Sequence, residues 1–117
     1  MENTLRMALL FDFYGPLLTE RQQDVFQMYF HEDLSLGEVG EELEVSRQAI
    51  YDILKRTEAI LEDFESKLGL VEKHGQRQLL YGELLALLEL CRADGDSGGL
   101  SYLDALEEKI RQAQQFA

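Results

Sequence analysis

Two helix-start signals that lie only eleven residues apart constrain the fold of this chain most strongly. Ser35 and Glu38 form a capping box, in which each side chain can satisfy a backbone N–H group that the first turn of a helix leaves unpaired. Ser46 can cap a second helix, so only Glu44 and Val45 separate the two helices. That is the short, sharp connection that a helix-turn-helix requires.

The second helix of this motif is predicted to run from residue 47 to about Leu68, since Gly69 is the first stop signal. Its apolar residues share one face: Ala49, Ile50, Ile53, Leu54, Ile60, Leu61 and Phe64. The other side carries Arg47, Gln48, Tyr51 and Lys55, flanked by Asp52 and Arg56, and then Glu58, Glu62 and Glu65. We therefore expect cations on its first turns and solvated carboxylates beyond them, so that only the first 10 or so residues, roughly three turns, could face a phosphate backbone.

Two shorter helices are predicted ahead of the motif. A dense apolar segment at residues 3–14 ends at Gly15–Pro16, a dipeptide that disfavours helix. Thr19 and Gln22 form another capping box, which begins a helix from about 20 to 31. Because no stretch alternates apolar and polar residues as a strand does, the chain is predicted to be all-α.

The C-terminal third is predicted to hold two more helices. The helix at 70–92 has leucines on more than one side, so it needs more than one packing partner. Residues 93–99 (ADGDSGG) form a predicted flexible link, and a last amphipathic helix follows. We therefore divide the chain into a helix-turn-helix bundle at 1–69 and a helical extension at 70–117, packed on the bundle or at a homodimer interface.

The charge balance bears on possible partners. The chain carries 23 acidic and 11 basic side chains, for a net charge of −12, which opposes non-specific nucleic-acid binding. Screening limits charge interactions to about 8 Å at physiological salt, so the local distribution matters more than the total. A lone cysteine, Cys91, excludes an internal disulfide. With no apolar run near 20 residues and no signal-peptide pattern, we expect a cytoplasmic protein without membrane insertion.

The residues around the motif carry a family resemblance. The stretch LTERQQDVFQMYFHEDLSLGEVGEELEVSRQAIYDILKRTE resembles the helix-turn-helix of the region that reads the −35 promoter element in bacterial sigma factors. With the preceding LFDFYGPLLT and the following LEDFESKLGL, the chain is more similar still to the YlxM family of small bacterial proteins, over residues 1 to about 72. The resemblance implies a small all-helical, wingless helix-turn-helix protein that acts in, or regulates, the signal recognition particle pathway, with components of that particle as partners.

The chain departs from the usual helix-turn-helix pattern at one position. The residue after the first helix, commonly a glycine, is Glu44, and a non-glycine residue in the left-handed conformation expected there costs about 1 kcal/mol. Hydrophobic staples at both helix starts can offset that cost. Gly40 stands in the middle of the first helix, where it can let the two helices approach closely.

The outward residues of the second helix are the candidate nucleic-acid site. Gln48 and Tyr51 would read base edges, since glutamine suits a bidentate contact with adenine, and Arg47, Lys55 and Arg56 would hold phosphates. The alternative is a structural three-helix unit that uses the same face for a protein. Three or four phosphate contacts give a log–log salt slope of about −3 to −4, a weak grip that a homodimer would strengthen.

Catalytic and metal chemistry are not favoured. Adjacent carboxylates such as Glu41 and Glu42 lie on solvated helix faces, outside any cleft-forming pattern. The segment DGDSGG begins like a calcium loop but lacks ligands at loop positions five and twelve. His31 and His74 lie far apart without ligand-spaced neighbours. No catalytic residue, metal site or cofactor is predicted, and the function expected is an accessory factor of protein targeting or, alternatively, a sequence-specific DNA-binding regulator.

Overall fold

The structure, a computed structural model, describes residues 4–94 and 99–115, and every regular element in these ranges is helical. The six α-helices are α1 (Thr4–Tyr14), α2 (Glu20–Phe26), α3 (Leu36–Leu43), α4 (Arg47–Leu68), α5 (Leu70–Asp94) and α6 (Gly99–Gln114). A 3-10 turn at Gly15–Leu17 follows α1, and a π-helical turn at Gln27–His31 follows α2. The all-α prediction is confirmed.

The chain divides into two compact units, one ending at Val71 and the other beginning at Glu72. The first unit contains α1 to α4 and the first two residues of α5, and the second contains the rest of α5 and α6. Part of the predicted link at 93–99 is helical, because Ala93 and Asp94 belong to α5 and Gly99 begins α6. Residues 95–98 lie outside the described residues.

The core of the first unit forms where α1, α2 and α3 meet the apolar face of α4. Its buried side chains are Met7, Leu10, Tyr14, Leu18, Val25, Phe26, Phe30, Val39, Ile50, Leu54 and Leu61. Within it, the rings of Phe11 and Phe26 stack with their centroids 4.5 Å apart. Each fully buried leucine or phenylalanine contributes roughly 1.5–3 kcal/mol, so this core orients α4 in the unit.

The predicted helix starts are present in the first unit. In each capping box the side chains and backbone N–H groups exchange hydrogen bonds of 3.0–3.2 Å, between Thr19 and Gln22 and between Ser35 and Glu38. The backbone N–H of Ser35 holds the pKa of the Glu38 carboxyl below its usual range. Ser46 Oγ accepts a hydrogen bond of 3.0 Å from the Ala49 N–H and caps α4.

The connection between α3 and α4 is a close backbone contact. Glu44 ends α3 in the left-handed conformation (φ 60°, ψ 42°), as predicted. The Val45 N–H then donates to the Gly40 carbonyl at 2.9 Å. A Cβ atom at Gly40 would lie only 2.7 Å from the Val45 carbonyl oxygen. The glycine is therefore required where the turn folds back on α3.

The helix predicted at 20–31 changes character after Phe26. Its last turn is π-helical, with the Glu32 N–H donating to the Gln27 carbonyl at 3.0 Å. Asp33 then takes a positive φ of 57° before the chain enters α3. Phe26 and Phe30 are both buried in the core, with ring centroids 4.4 Å apart.

Two of the three carboxylates predicted to be solvated on the later turns of α4, Glu62 and Glu65, are bound to α1 instead, so the prediction is wrong for these two. Arg6 donates two hydrogen bonds, of 2.6 and 2.8 Å, to the two carboxylate oxygens of Glu62. These bonds hold the pKa of the Glu62 carboxyl below its usual range. The periodicity of α4 identifies its most apolar face, but it does not show that α1 also covers the neighbouring stripe.

A second contact between α1 and α4 joins the buried phenol of Tyr14 to Glu65. Tyr14 is fully buried, and its hydroxyl donates a 2.5 Å hydrogen bond to Glu65 Oε1 and accepts one of 3.0 Å from the Leu70 N–H. Glu65 Oε1 also accepts from the Val71 N–H at 3.0 Å. The pair therefore caps the first N–H groups of α5. Burial, with the bond to Glu65, raises the pKa of the Tyr14 phenol.

We predict that Gly40→Ala destabilises the protein by about 2 kcal/mol, because the methyl group must displace the Val45 carbonyl. Gly37→Ala is the matched control in the same helix, where an added Cβ meets nothing closer than 3.9 Å. That control should leave the free energy of unfolding equal or raise it by up to about 1 kcal/mol. Urea titrations followed by circular dichroism measure both. Equal effects of the two substitutions would contradict the close contact at Gly40.

We predict that Tyr14→Phe lowers the free energy of unfolding by about 1–3 kcal/mol at neutral pH, because the Leu70 N–H and Glu65 lose their shared partner. The folded-state pKa of Tyr14 is raised, so the contribution of the neutral phenol is fully present below its unfolded value near 10. This contribution is lost as pH rises through the folded pKa. The difference in the free energy of unfolding between the wild type and the variant should therefore narrow above pH 10. A gap that stays constant to pH 11 or above contradicts this role. Tyr51→Phe, at an exposed tyrosine, is the control.

Candidate nucleic-acid interface

The predicted site residues lie together on the exposed side of the first three turns of α4. Ile50 and Leu54 are buried in the core, which turns the opposite side of the helix outward. The exposed residues form two neighbouring ridges with i, i+4, i+8 spacing, one of Arg47, Tyr51 and Lys55 and the other of Gln48, Asp52 and Arg56. The structure therefore places all five predicted residues on one surface, which we name the α4 face together with Asp52.

The first ridge of the α4 face orients its lysine. Lys55 Nζ lies 5.6 Å from the centroid of the Tyr51 ring and 3.9 Å from Glu58 Oε1. A cation over an exposed aromatic ring gains about 0.5–1 kcal/mol, which favours this rotamer without fixing it. Tyr51 and Lys55 thus form a joint apolar and cationic feature in the middle of the α4 face.

The second ridge holds the predicted base reader in an internal hydrogen bond. Gln48 Nε2 donates to Asp52 Oδ1 at 3.0 Å, one turn further along the helix. A bidentate contact with adenine needs both the donor and the acceptor of the carboxamide. The bond to Asp52 uses one of the two N–H donors of the Gln48 carboxamide and orients that group, and it keeps the Asp52 carboxylate beside any base edge that Gln48 could reach. The i, i+4 spacing of a glutamine and an aspartate was the sequence signal for this pair.

The α4 face contains two exposed arginines. Both Arg47 and Arg56 are exposed, and within the part of the chain that the structure describes neither forms an ion pair or a hydrogen bond through its side chain. They lie on different ridges and at opposite ends of the face. Nine residues separate them, about two and a half turns, so their side chains leave α4 in nearly opposite directions and a partner must extend around the helix to meet both.

Carboxylates outnumber these cations on the helix-turn-helix. Residues 35–58 contain six acidic and three basic side chains. An open depression beside the turn is lined by Glu20, Asp24, Glu42 and Glu44, together with Arg21 and Leu43. In DNA-bound helix-turn-helix proteins the first helix crosses the phosphate backbone, so carboxylates on α3 and its turn oppose that docking. Pattern reasoning on α4 alone did not detect this depression, because α2 contributes Glu20 and Asp24 to it.

Two other kinds of site were sought among the described residues, a metal centre and a membrane-spanning helix. Within residues 4–94 and 99–115, His, Cys, Asp and Glu side chains nowhere gather in a group of three that could hold a metal ion. Over the same ranges, no helix combines the length and apolar character needed to cross a lipid bilayer. The DGDSGG segment, considered above as a calcium loop, falls largely outside the described residues.

The all-helical fold of the described residues, the three-residue connection at 44–46 and the exposed α4 face define a helix-turn-helix protein. The sequence model of the UPF0122 family, described as "Putative helix-turn-helix protein, YlxM / p13 like", matches residues 1–91. The chain belongs to this family, and its resemblance to YlxM proteins is thereby confirmed.

Relatives support the same assignment. The chain is 53% identical to a UPF0122 protein of Bacillus mycoides (strain KBAB4) over 88 residues, which cover 75% of this chain and 80% of the relative. It is 52% identical, with the same coverage, to UPF0122 proteins of Bacillus thuringiensis (strain Al Hakam) and Bacillus anthracis (strain A0248).

We predict that the carboxylates beside the turn restrain phosphate binding by the α4 face. Neutralising two of them, in Glu42→Gln with Glu44→Gln, should raise the affinity for a generic DNA duplex roughly fivefold at low salt, because two repulsive charges are removed. The control with the same charge change, Asp12→Asn with Asp63→Asn, alters exposed carboxylates on α1 and on a later turn of α4. Fluorescence anisotropy measures both, and an equal gain from the two pairs would contradict a local effect.

Proposed function

We propose that this protein is a non-enzymatic, cytoplasmic accessory or regulatory factor of the signal recognition particle pathway. It binds a protein component of that machinery through the α4 face. The pathway rests on the resemblance to YlxM proteins, and the mode of binding rests on the chemistry of the face.

The bond between Gln48 and Asp52 carries the choice of a protein partner over a base sequence. It takes one of the two donors of the Gln48 carboxamide, and it holds a carboxylate on the same ridge, where a base edge or a phosphate would be repelled. A protein surface tolerates both, since a carboxylate at an interface can pair with a lysine or arginine of the partner. Tyr51, whose ring lies beneath Lys55, is one of the residue types that dominate the affinity of protein interfaces.

The acidic surroundings support the same proposal. Carboxylates around the α4 face keep non-specific nucleic acid away, and the alternating charges on the face suit a partner with both signs. The factor can therefore work beside a particle that contains RNA without being held by its phosphates.

A second candidate is a sequence-specific DNA-binding regulator. It is favoured by the intact helix-turn-helix geometry and by the accessibility of Arg47 and Arg56, which suit phosphate contacts. In this case the Gln48 carboxamide contacts an adenine edge through its oxygen and one N–H.

Parallel titrations separate the two functions. The full chain is titrated in one buffer, at 50 and 200 mM salt, against the particle's protein subunit, the particle RNA and a panel of promoter duplexes. We expect saturable binding to the protein subunit, with affinity that changes little with salt, and background binding to the duplexes and the RNA. Duplex or RNA binding that exceeds binding to the protein subunit would refute the proposal.

Variants of the α4 face identify the mode of binding. Tyr51→Ala should weaken the complex with the protein subunit at least tenfold, since a central aromatic residue costs about 2 kcal/mol or more at an interface. Gln48→Ala should change it less than about threefold, the effect expected for a peripheral contact. Leu5→Ala, at an exposed leucine of α1, is the control. If Gln48→Ala instead relaxes a sequence preference among duplexes, the regulator is correct.

A further inference from the structure

The second unit leaves two lines of large apolar side chains uncovered. On α5, Tyr81, Leu85 and Leu88 have i, i+4, i+7 spacing, and on α6, Leu103, Leu106 and Ile110 have i, i+3, i+7 spacing. Five of these six side chains are between 37% and 64% exposed, and Leu106 is half-buried. Each line is therefore the kind of stripe that a helix normally buries against a neighbour.

The two helices of this unit are antiparallel. Glu83 forms an ion pair with Lys109, and the two residues lie eleven positions before the end of α5 and ten after the start of α6. Only four residues separate the helices, so this pair can form only if α6 runs back along α5. The less exposed residues of α5, such as Leu80, Leu84 and Leu87, lie about a quarter turn from its apolar stripe.

Helical geometry brings the two stripes onto one side of the hairpin. On each helix, the exposed stripe lies about 100° around the helix axis from the line of less exposed residues. On both helices the rotation is in the direction of increasing residue number. Because the helices run in opposite directions, rotations of the same sense turn both stripes toward the same side. The register of the Glu83–Lys109 pair then places apolar residues level with one another in three rungs, Tyr81 with Ile110, Leu85 with Leu106, and Leu88 with Leu103. We name these six residues the apolar ladder.

The ladder has the size of an interface. The exposed fractions of its side chains amount to roughly 500 Å² of mostly apolar surface, comparable with the largest patch that a monomer usually leaves uncovered, about 300–600 Å². Contact between two ladders would bury roughly 1,000 Å² of apolar surface in total, and the polar residues around them would add to the buried area. That total passes the area of about 1,000 Å² at which specific protein interfaces begin.

We infer that the apolar ladder binds the ladder of a second copy of this chain, so that the protein is a homodimer held by a four-helix bundle. The symmetry of the ladder favours a second copy as its occupant. In an isologous contact, the middle rung of one copy packs on the middle rung of the other, and each outer rung packs on the opposite outer rung. Apolar residues therefore meet apolar residues along the whole ladder. Two antiparallel hairpins stacked in this way give the ordinary arrangement of a four-helix bundle.

The pairing does not depend on the proposed function, and charge works against it. Each chain has a net charge of −12, so two copies repel one another until salt screens them. The apolar ladder itself contains no charged residue. We therefore expect the dimer to become tighter, not weaker, between 50 and 300 mM salt, in contrast to a complex held by ion pairs.

The oligomeric state of the full chain tests the inference. Light scattering on a sizing column and sedimentation equilibrium should give the mass of a dimer for the wild type. Leu85→Glu should raise the dimer dissociation constant about 100-fold or more, because it would bury two unpaired carboxylates at the middle rung. Leu79→Glu is the matched control, since Leu79 is 71% exposed on the same helix but outside the ladder. It should leave the mass unchanged, and both variants should keep the far-ultraviolet circular dichroism of the wild type.

A crosslinking experiment provides a positive test of the contact. In a Cys91→Ala background, Leu85→Cys should give a disulfide-linked dimer on mild oxidation, because the middle rungs of the two copies face each other. Leu79→Cys should remain uncrosslinked under the same conditions. A wild type that is monomeric at 100 µM would overturn the inference, since micromolar affinities are ordinary for a weak interface. A dimer that survives Leu85→Glu would overturn it as well.

Discussion

The approach of α3 to the turn at Gly40 is the contact on which the candidate surface of α4 depends. A Cβ atom added at Gly40 would lie only 2.7 Å from the Val45 carbonyl oxygen, so the turn packs directly against the backbone of α3. That contact sets the direction in which α4 leaves the turn. Ile50 and Leu54 then enter the core, and the opposite ridges of α4 become a solvent-facing surface. A wider turn would change which residues of α4 are exposed.

Local sequence signals predicted the helices well because each signal acts within a few residues. Capping side chains at Thr19, Ser35 and Ser46, and the left-handed Glu44, needed no information from distant parts of the chain. Features that join distant segments were not predictable in this way. The clearest case is the bidentate pair of Arg6 with Glu62, 56 positions apart, which turns a stripe that looked solvated into a helix contact.

The candidate site was predictable in its members but not in its chemistry. The spacing of Arg47, Gln48, Tyr51, Lys55 and Arg56 placed all five on one side of a helix, and the structure brings them together. The hydrogen bond from Gln48 to Asp52 and the placement of Lys55 beside Tyr51 depend on side-chain conformation. The carboxylates beside the turn depend on how α2 packs. Together they make the α4 face a surface of both charges with an aromatic centre, and this composition supports the proposal of a protein partner.

The most direct test of this account is a map of the backbone amide signals of α4 by nuclear magnetic resonance. The full chain is observed while the protein subunit of the signal recognition particle is added, and again with duplex DNA. We predict that the signals of Arg47, Tyr51 and Lys55 shift on adding the protein subunit and stay unchanged with DNA at physiological salt. Shifts on α4 with DNA alone, or shifts with the protein subunit that avoid α4, would contradict the account.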